Sequence, residues 1–499
     1  MWIDHARGTV LVGMVVATVA MGARSAAGDV RPSVVKIHAT RRAPSVFRPW
    51  TKQEPEEVSG SGAVIDGKRI LTNAHVVNYA SQVYVQPFQS ADRIAAKTVV
   101  IAPGIDLALL EVDDQKFFED HPALKLADRI PSAKESVNVY GYPVGGTELS
   151  VTEGIVARIE YAGYSYGEMG LRIQVDAAIN AGNSGGPAIV EEEIIGLVSS
   201  RIRQADNIGY LIPVEEIRMF LEDVSDGRYD GKPHLFDDTQ TVENEALRTK
   251  LGLTSGVGGA MVATPWAAGS DYPLRRWDVI TKIGDHALDN DGKVRVREDL
   301  RLYFLYMVPK LAVEDRVGVT LLRNGESTEA AVPTLRERDL VIPYLKTEYP
   351  RYFVYGPLVF SAATQEFAGS LADAWFYRLV YCRSPLVTRR YDKVAFEGEE
   401  LVVVCSPMFP HRITKGYDNP FSFVLKSVND VEIRSLRHLV AFLRDLRDED
   451  VVFAFADEHT ETLVFDRKEI AASTEEILND NGIRHECSED LRDVWKGEE

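Results

Sequence analysis

The sequence predicts a mainly β protein: an all-β barrel or sandwich in the N-terminal half, followed by two smaller units that mix strands with helices. Three observations predict it. Between Val34 and Pro213, short apolar or alternating runs recur, separated by glycine-bearing turns. A clear helical period appears only at "VEEIRMFLEDV", 214–224, which closes that region. Beyond it, strand–turn–strand, helix and strand follow one another twice, a faint internal repeat.

The chain opens with one basic residue, Arg7, an apolar run from Val10 to Ala23, and the small residues Ser25-Ala26-Ala27. The run is short for a membrane span of ~20 residues. It predicts a signal peptide over 1–27, cleaved after Ala27, and hence an exported, periplasmic or extracytoplasmic protein. Asp4 weakens the positive start of this segment, so an uncleaved anchor is the competing reading.

The strands of the first unit, 28–228, include "GSGAVIDGKRILTNAHVV", "QVYVQPF", "KTVVIA", "DLALLEV", "SVNVYGYP", "LRIQVD" and "IIGLVSS". The proline-rich, charged stretch "RRAPSVFRPWTKQEPEEV", 41–58, reads as a mobile loop suited to regulation. "SDGRYDGKPHLFDD" reads as a linker. A second unit, 237–338, holds strands "GAMVATP", "VITKIGDHAL" and "VGVTLLRNGE" and a helical stretch "EDLRLYFLYMVPKL". A third, 340–499, combines strands such as "YFVYGPLVF" and "VVFAFAD" with helices "SLRHLVAFLRDL" and "RKEIAASTEEILNDNG".

Composition narrows the function. A net charge of −19 over 499 residues opposes phosphate backbones and argues against a nucleic-acid partner. Three cysteines, Cys382, Cys405 and Cys487, form no disulfide framework and read as buried thiols. His485 and Cys487 lack a second pair at ligand spacing, so no metal or other cofactor is expected.

The chemistry centres on "DAAINAGNSGGPAIV", 176–190. No Lys follows at the spacing of a phosphate-binding loop. An α/β-hydrolase elbow needs a helix after its serine, which Gly185, Gly186 and Pro187 oppose. The remaining template places its partners upstream: His75 in "LTNAHVV" and Asp106 in "GIDLALLEV". His, Asp, Ser is the chain order of the chymotrypsin-type triad. A serine hydroxyl needs an adjacent base, imidazole can serve near neutral pH, and a carboxylate must hold its tautomer. The amides of Gly182 and Ser184 must both face a developing oxyanion, which favours residues without Cβ.

These segments, with "NIGYLIP", resemble the HtrA/Deg family of trypsin-like serine proteases. The resemblance implies a chymotrypsin-like double β-barrel with His75 as general base, Asp106 as its orienting carboxylate and Ser184 as nucleophile. It places the oxyanion hole at Gly182, Asn183 and Ser184, and the S1 pocket at Ala178, with Arg201 near its mouth. Ala181 stands where family members usually carry proline. The family also implies a PDZ domain in the second unit, with Leu251, Gly252 and Leu253 in a carboxylate-binding loop, and a divergent PDZ-like third unit. Expected partners are unfolded or damaged polypeptides, C-terminal peptides at the PDZ domain, and further copies of the chain in trimers or multiples of them. The implied activity is ATP-independent proteolytic quality control. The alternative is a non-proteolytic chaperone or peptide-binding scaffold that keeps a protease fold.

Overall fold

The computed structural model describes residues 29–199, 209–371 and 373–498. The predicted signal segment 1–27 and Arg201 lie outside the described residues. Among the described residues no helix is long and apolar enough to cross a membrane.

Six strands form a first closed barrel: β1 (Val34–Arg41), β2 (Glu56–Ile65), β3 (Arg69–Thr72), β4 (Ala80–Gln86), β5 (Ile94–Ala102) and β6 (Leu107–Val112), in the order β1-β2-β3-β6-β5-β4. Val35, Ile37, Val64, Ile70, Val85 and Leu110 fill it. The next strands are β7 (Lys125–Leu126), β8 (Ser136–Gly141), β9 (Ser150–Gly163), β10 (Met169–Val175), β11 (Pro187–Val190), β12 (Glu193–Ser199) and β13 (Gly209–Pro213). They run β11-β8-β9-β10-β13-β12, and pairing of β11 with β12 closes a second barrel, with β7 parallel to β12 on its flank. Alternation explains these strands: in β8 the side chains of Val137 and Val139 are buried while Ser136 and Asn138 face outward. Leu71, Leu107 and Leu109 of one barrel meet Ile189, Leu197 and Ile212 of the other, and Ile217 and Phe220 of the helix Val214–Asp223 seal that core. The fold is the chymotrypsin-like double barrel.

The chain after this helix is not a free linker. Lys232 and His234 are buried, and His234 pairs with Leu335 through backbone hydrogen bonds of 2.9 and 3.0 Å. The second unit comprises β14 (Asp238–Thr241), β15 (Ala260–Thr264), β16 (Val279–Ile283), β17 (His286–Ala287), β18 (Lys293–Arg297), β19 (Leu300–Tyr303), β20 (Arg316–Arg323) and β21 (Glu326–Pro333). Its main sheet runs β14-β15-β16-β20-β21. The stretch expected as one helix instead begins with β19, paired to β18, and only Val308–Leu311 is α-helical. Leu300 and Leu302 point into the core while Arg301 is exposed, a period of two that the dense run of aromatic and aliphatic residues after it obscures.

The third unit carries β22 (Tyr352–Tyr355), β23 (Leu358–Ala362) and β24 (Val402–Val404) in one sheet. A second sheet holds β25 (Leu425–Val428), β26 (Val431–Glu432), β27 (Asp450–Phe455) and β28 (Leu463–Asp466). The helix Leu436–Asp445 starts at Ser435, whose side chain accepts from His438 N, and buries Leu436, Leu439, Val440 and Leu443. Near the C-terminal end of the chain, Cys487 forms an isolated antiparallel bridge with Phe353 at the edge of β22. All three cysteines are buried and unpaired, and burial pushes the Cys405 thiol well above its ordinary range.

The stretch 41–58 departs most from expectation. Pro44 pairs with Lys52 in a narrow hairpin, and Val46, Phe47 and Trp50 pack into the core of the third unit. Phe47 lies edge-on to Phe367 and Phe421 at 5.7 and 5.5 Å, and Trp50 is 5.9 Å from Phe409. Two aromatics in a polar loop found an apolar surface far along the chain.

Candidate active site

His75 sits on a single helical turn, Ala74–Val77, that follows β3. Its ring Nδ1 lies 2.9 and 2.8 Å from the two carboxylate oxygens of Asp106, and its backbone N–H donates to Asp106 Oδ1 at 3.0 Å. A carboxylate can only accept, so Nδ1 carries the proton and Nε2 is left as an acceptor. Asp106 is 5% exposed and His75 23%: the carboxylate is walled in while the imidazole opens to solvent.

Asp106 adopts a left-handed backbone, with φ of 60°. Its surroundings over-determine that conformation. Asn73 Nδ2 donates to its carbonyl at 3.0 Å, and Ser199 Oγ donates to Oδ2 at 3.0 Å. Ser199 is a site residue the sequence reading did not single out. Its only signal was its place in "GLVSSRI", the strand that the family resemblance sets across from Ala178.

Ser184 is buried in a turn whose glycines have no room for a side chain. At Gly185, with φ of 85°, a Cβ would lie 2.1 Å from the carbonyl of Ser61 and 2.4 Å from Thr72 Oγ1. At Gly182, with φ of 97°, it would lie 2.5 Å from Tyr142 O. Thr72 and Asn73 immediately precede the His75 turn, so the Ser184 loop abuts the segment that carries the imidazole. Ser61 staples the two barrels here: its amide donates to Ser184 O, its hydroxyl donates to Gly182 O, and that same hydroxyl accepts from Tyr142 N, each at 2.8 Å. The Gly182 amide makes no hydrogen bond among the described residues. The amide of Asn183 donates to Asn180 O at 3.1 Å.

Ala178 is exposed on the segment leading to Ser184, and its carbonyl accepts from Thr152 Oγ1 at 3.2 Å. Beside it Ile179 packs toward Gly209, where a Cβ would stand 2.3 Å from Ile179 Cδ1. Ile179 is thus the apolar side chain next to Ala178 that packs inward, and the sequence reading passed over it. Leu251, Gly252 and Leu253 are elsewhere. Leu251 ends the helix Glu245–Leu251, Gly252 caps it with φ of 68°, and both leucines pack near Val242 and Met261. The strand that follows, β15, is hydrogen-bonded on both sides, by β14 and β16. The open edges of this sheet, where a peptide could add as a strand, are at β14 and β21.

The geometry has counterparts. A trypsin-like peptidase domain profile matches residues 60–197, and a PDZ domain profile matches 341–490. The chain is 33% identical to Protease Do-like 2, chloroplastic, of Arabidopsis thaliana over 93% of its own length and 76% of that protein's. It is 35% identical to Protease Do-like 4, mitochondrial, of the same plant, over 84% of its own length and 78% of the relative's. The double barrel, the matched peptidase and PDZ domains and this extent of likeness agree: the chain is a serine endopeptidase of the HtrA/Deg family.

Proposed function

We propose that Ser184, His75 and Asp106 form the catalytic triad and that the amides of Gly182 and Ser184 form the oxyanion hole. The observation that carries this reading is the doubly hydrogen-bonded contact of His75 Nδ1 with a buried carboxylate, beside a serine loop pinned by glycines. In the first step Ser184 Oγ bonds to the scissile carbonyl carbon while its proton passes to His75 Nε2. The carbonyl oxygen takes the negative charge, held by the two amides. Collapse of this intermediate breaks the C–N bond, and the leaving amine takes the proton from His75. Water then repeats the sequence on the acyl-enzyme and frees Ser184. Asp106 keeps the tautomer and is itself kept in place by Ser199 and the His75 amide.

The substrates are unfolded or damaged proteins. Ala178 and Ile179 offer no carboxylate to pair with a buried Lys or Arg, and an unpaired buried charge costs several kcal/mol. Cleavage then follows aliphatic residues, which folded proteins hide. Residues 1–27 act as a removable targeting signal, and the chain works as trimers or their multiples.

A fluorophosphonate probe tests the assignment. Wild-type protein labels at Ser184 and cleaves casein, whereas Ser184→Ala does neither and stays folded. Asp106→Asn falls by ~10⁴ in kcat if it behaves as the triad aspartate does. Folded wild type that takes no label would identify a scaffold instead. New C-termini read by mass spectrometry after digestion of a reduced, unfolded protein test the pocket, and a majority after Lys or Arg would sink that part.

A further inference from the structure

The turn that carries His75 is bounded by Asn78 and Tyr79, and both reach into the third unit. Asn78 Nδ2 donates to the carbonyl of Lys346 at 3.1 Å. The Tyr79 hydroxyl is shared between the carbonyls of Lys346, at 2.9 Å, and Glu348, at 3.1 Å. The Tyr79 ring meets Tyr349 at 5.4 Å, edge to face. Tyr79 has φ of 60°, a conformation rare for an aromatic residue, so contacts of this kind are needed to hold it.

The same segment is gripped from the other side. Arg42 N donates to Tyr79 O at 3.0 Å, and Arg41 Nη1 donates to the carbonyl of His75 itself at 2.5 Å. Arg41 and Arg42 lead directly into the hairpin whose Phe47 and Trp50 are seated in the third unit. Tyr349 closes the loop: its hydroxyl donates to Arg42 O at 3.2 Å, and Lys52 lies over its ring at 4.5 Å. The His75 turn is thus clasped between two strips of chain, both anchored on the third unit.

We infer that Tyr79 is a positioning residue for His75, and that the third unit, through Tyr79 and the Phe47/Trp50 anchor, sets how firmly the imidazole is held for proton transfer. This rests on the triad assignment proposed above. It gives the PDZ-like third unit a role as a support for the His75 segment, in addition to the hold of Asp106.

Tyr79→Phe keeps the ring and removes only the hydroxyl shared by Lys346 and Glu348. Fluorophosphonate labelling of Ser184 should slow about tenfold, the effect of one ordinary hydrogen bond expressed in the barrier. For a peptide substrate, kcat should fall by a similar factor while KM stays within about twofold, since no substrate contact is lost. Trp50→Ala should show the same split, and Trp50→Phe, which keeps an apolar anchor, should recover most of it. In the Ser184→Ala background, amide exchange of the peptide spanning residues 74–79 should quicken in Tyr79→Phe, while peptides from the second barrel stay as they were. Labelling of Tyr79→Phe within twofold of wild type, with unchanged exchange at 74–79, would overturn the inference and leave the triad assignment standing. Wild type that never labels would overturn both.

Discussion

Replacing Lys232 by methionine removes one half of an ion pair that solvent barely reaches. Lys232 Nζ lies 2.6 Å from Glu216 Oε2, with the side chains 8% and 2% exposed. The other Glu216 oxygen accepts from Leu171 N at 2.6 Å. The pair joins the helix that closes the second barrel to the chain entering the second unit. Methionine fills the volume of the lysine stem but leaves a buried carboxylate with a single donor. Breaking such a pair from one side costs ~3–5 kcal/mol. At ~2–4 °C per kcal/mol for a unit of 150–250 residues, the protease transition should fall by roughly 6–20 °C. Adding Glu216→Gln removes the stranded charge and keeps an oxygen for Leu171 N, so the double variant should return to within about 1.5 kcal/mol of wild type. Differential scanning calorimetry on the Ser184→Ala chain, which cannot digest itself if Ser184 is the nucleophile, measures all three. A Lys232→Met transition within ~1 kcal/mol of wild type, or a double variant no better than the single, would show that the pair is not buried as described.

Gly185→Ala should cut casein cleavage by about 100-fold or more with an unchanged far-UV spectrum, because its Cβ has to displace the Ser61 carbonyl and so the Ser184 loop. Gly67→Ala is the control: φ is also positive, at 81°, but no atom lies within 4 Å, so activity should hold. Asp237, whose carboxylate accepts from Trp266 N and Tyr272 OH, is raised above the ordinary carboxylate range by burial. Its folded form therefore binds protons more tightly than its unfolded form, and its contribution is favourable at low pH and is lost as pH rises through the raised value. The melting temperature of Asp237→Asn relative to wild type should climb from about pH 4 upward, and parallel curves would contradict the burial argument.

The parts of this molecule that were legible in sequence are those whose cause is local. Alternation in "SVNVYG" and the turn glycines of "GNSGG" are set by neighbours along the chain, and the order of His75, Asp106 and Ser184 is a property of the chain itself. What was hidden depends on distant partners. Ser199 matters because it donates to an aspartate 93 residues earlier. Phe47 and Trp50 sit among prolines and charges that read as a loop, and only Phe367, Phe409 and Phe421 make them a hairpin with a core.

The clasp on the His75 turn also orders events in time. Arg42 and the tyrosine that closes over it, Tyr349, are 307 residues apart. At ~5–20 residues per second, a ribosome needs roughly 15–60 s to travel that distance. The two barrels can close earlier, since every strand they use has then been made. The seat for Phe47 and Trp50 cannot exist until the last third of the chain has emerged. A nascent chain therefore has its histidine segment held by Asp106, Arg41 and Arg42 alone, and gains the contacts of Lys346 and Glu348 later, as the third unit forms. Long-range closure of this kind is slow relative to local folding, and here the delay falls on the segment that carries His75.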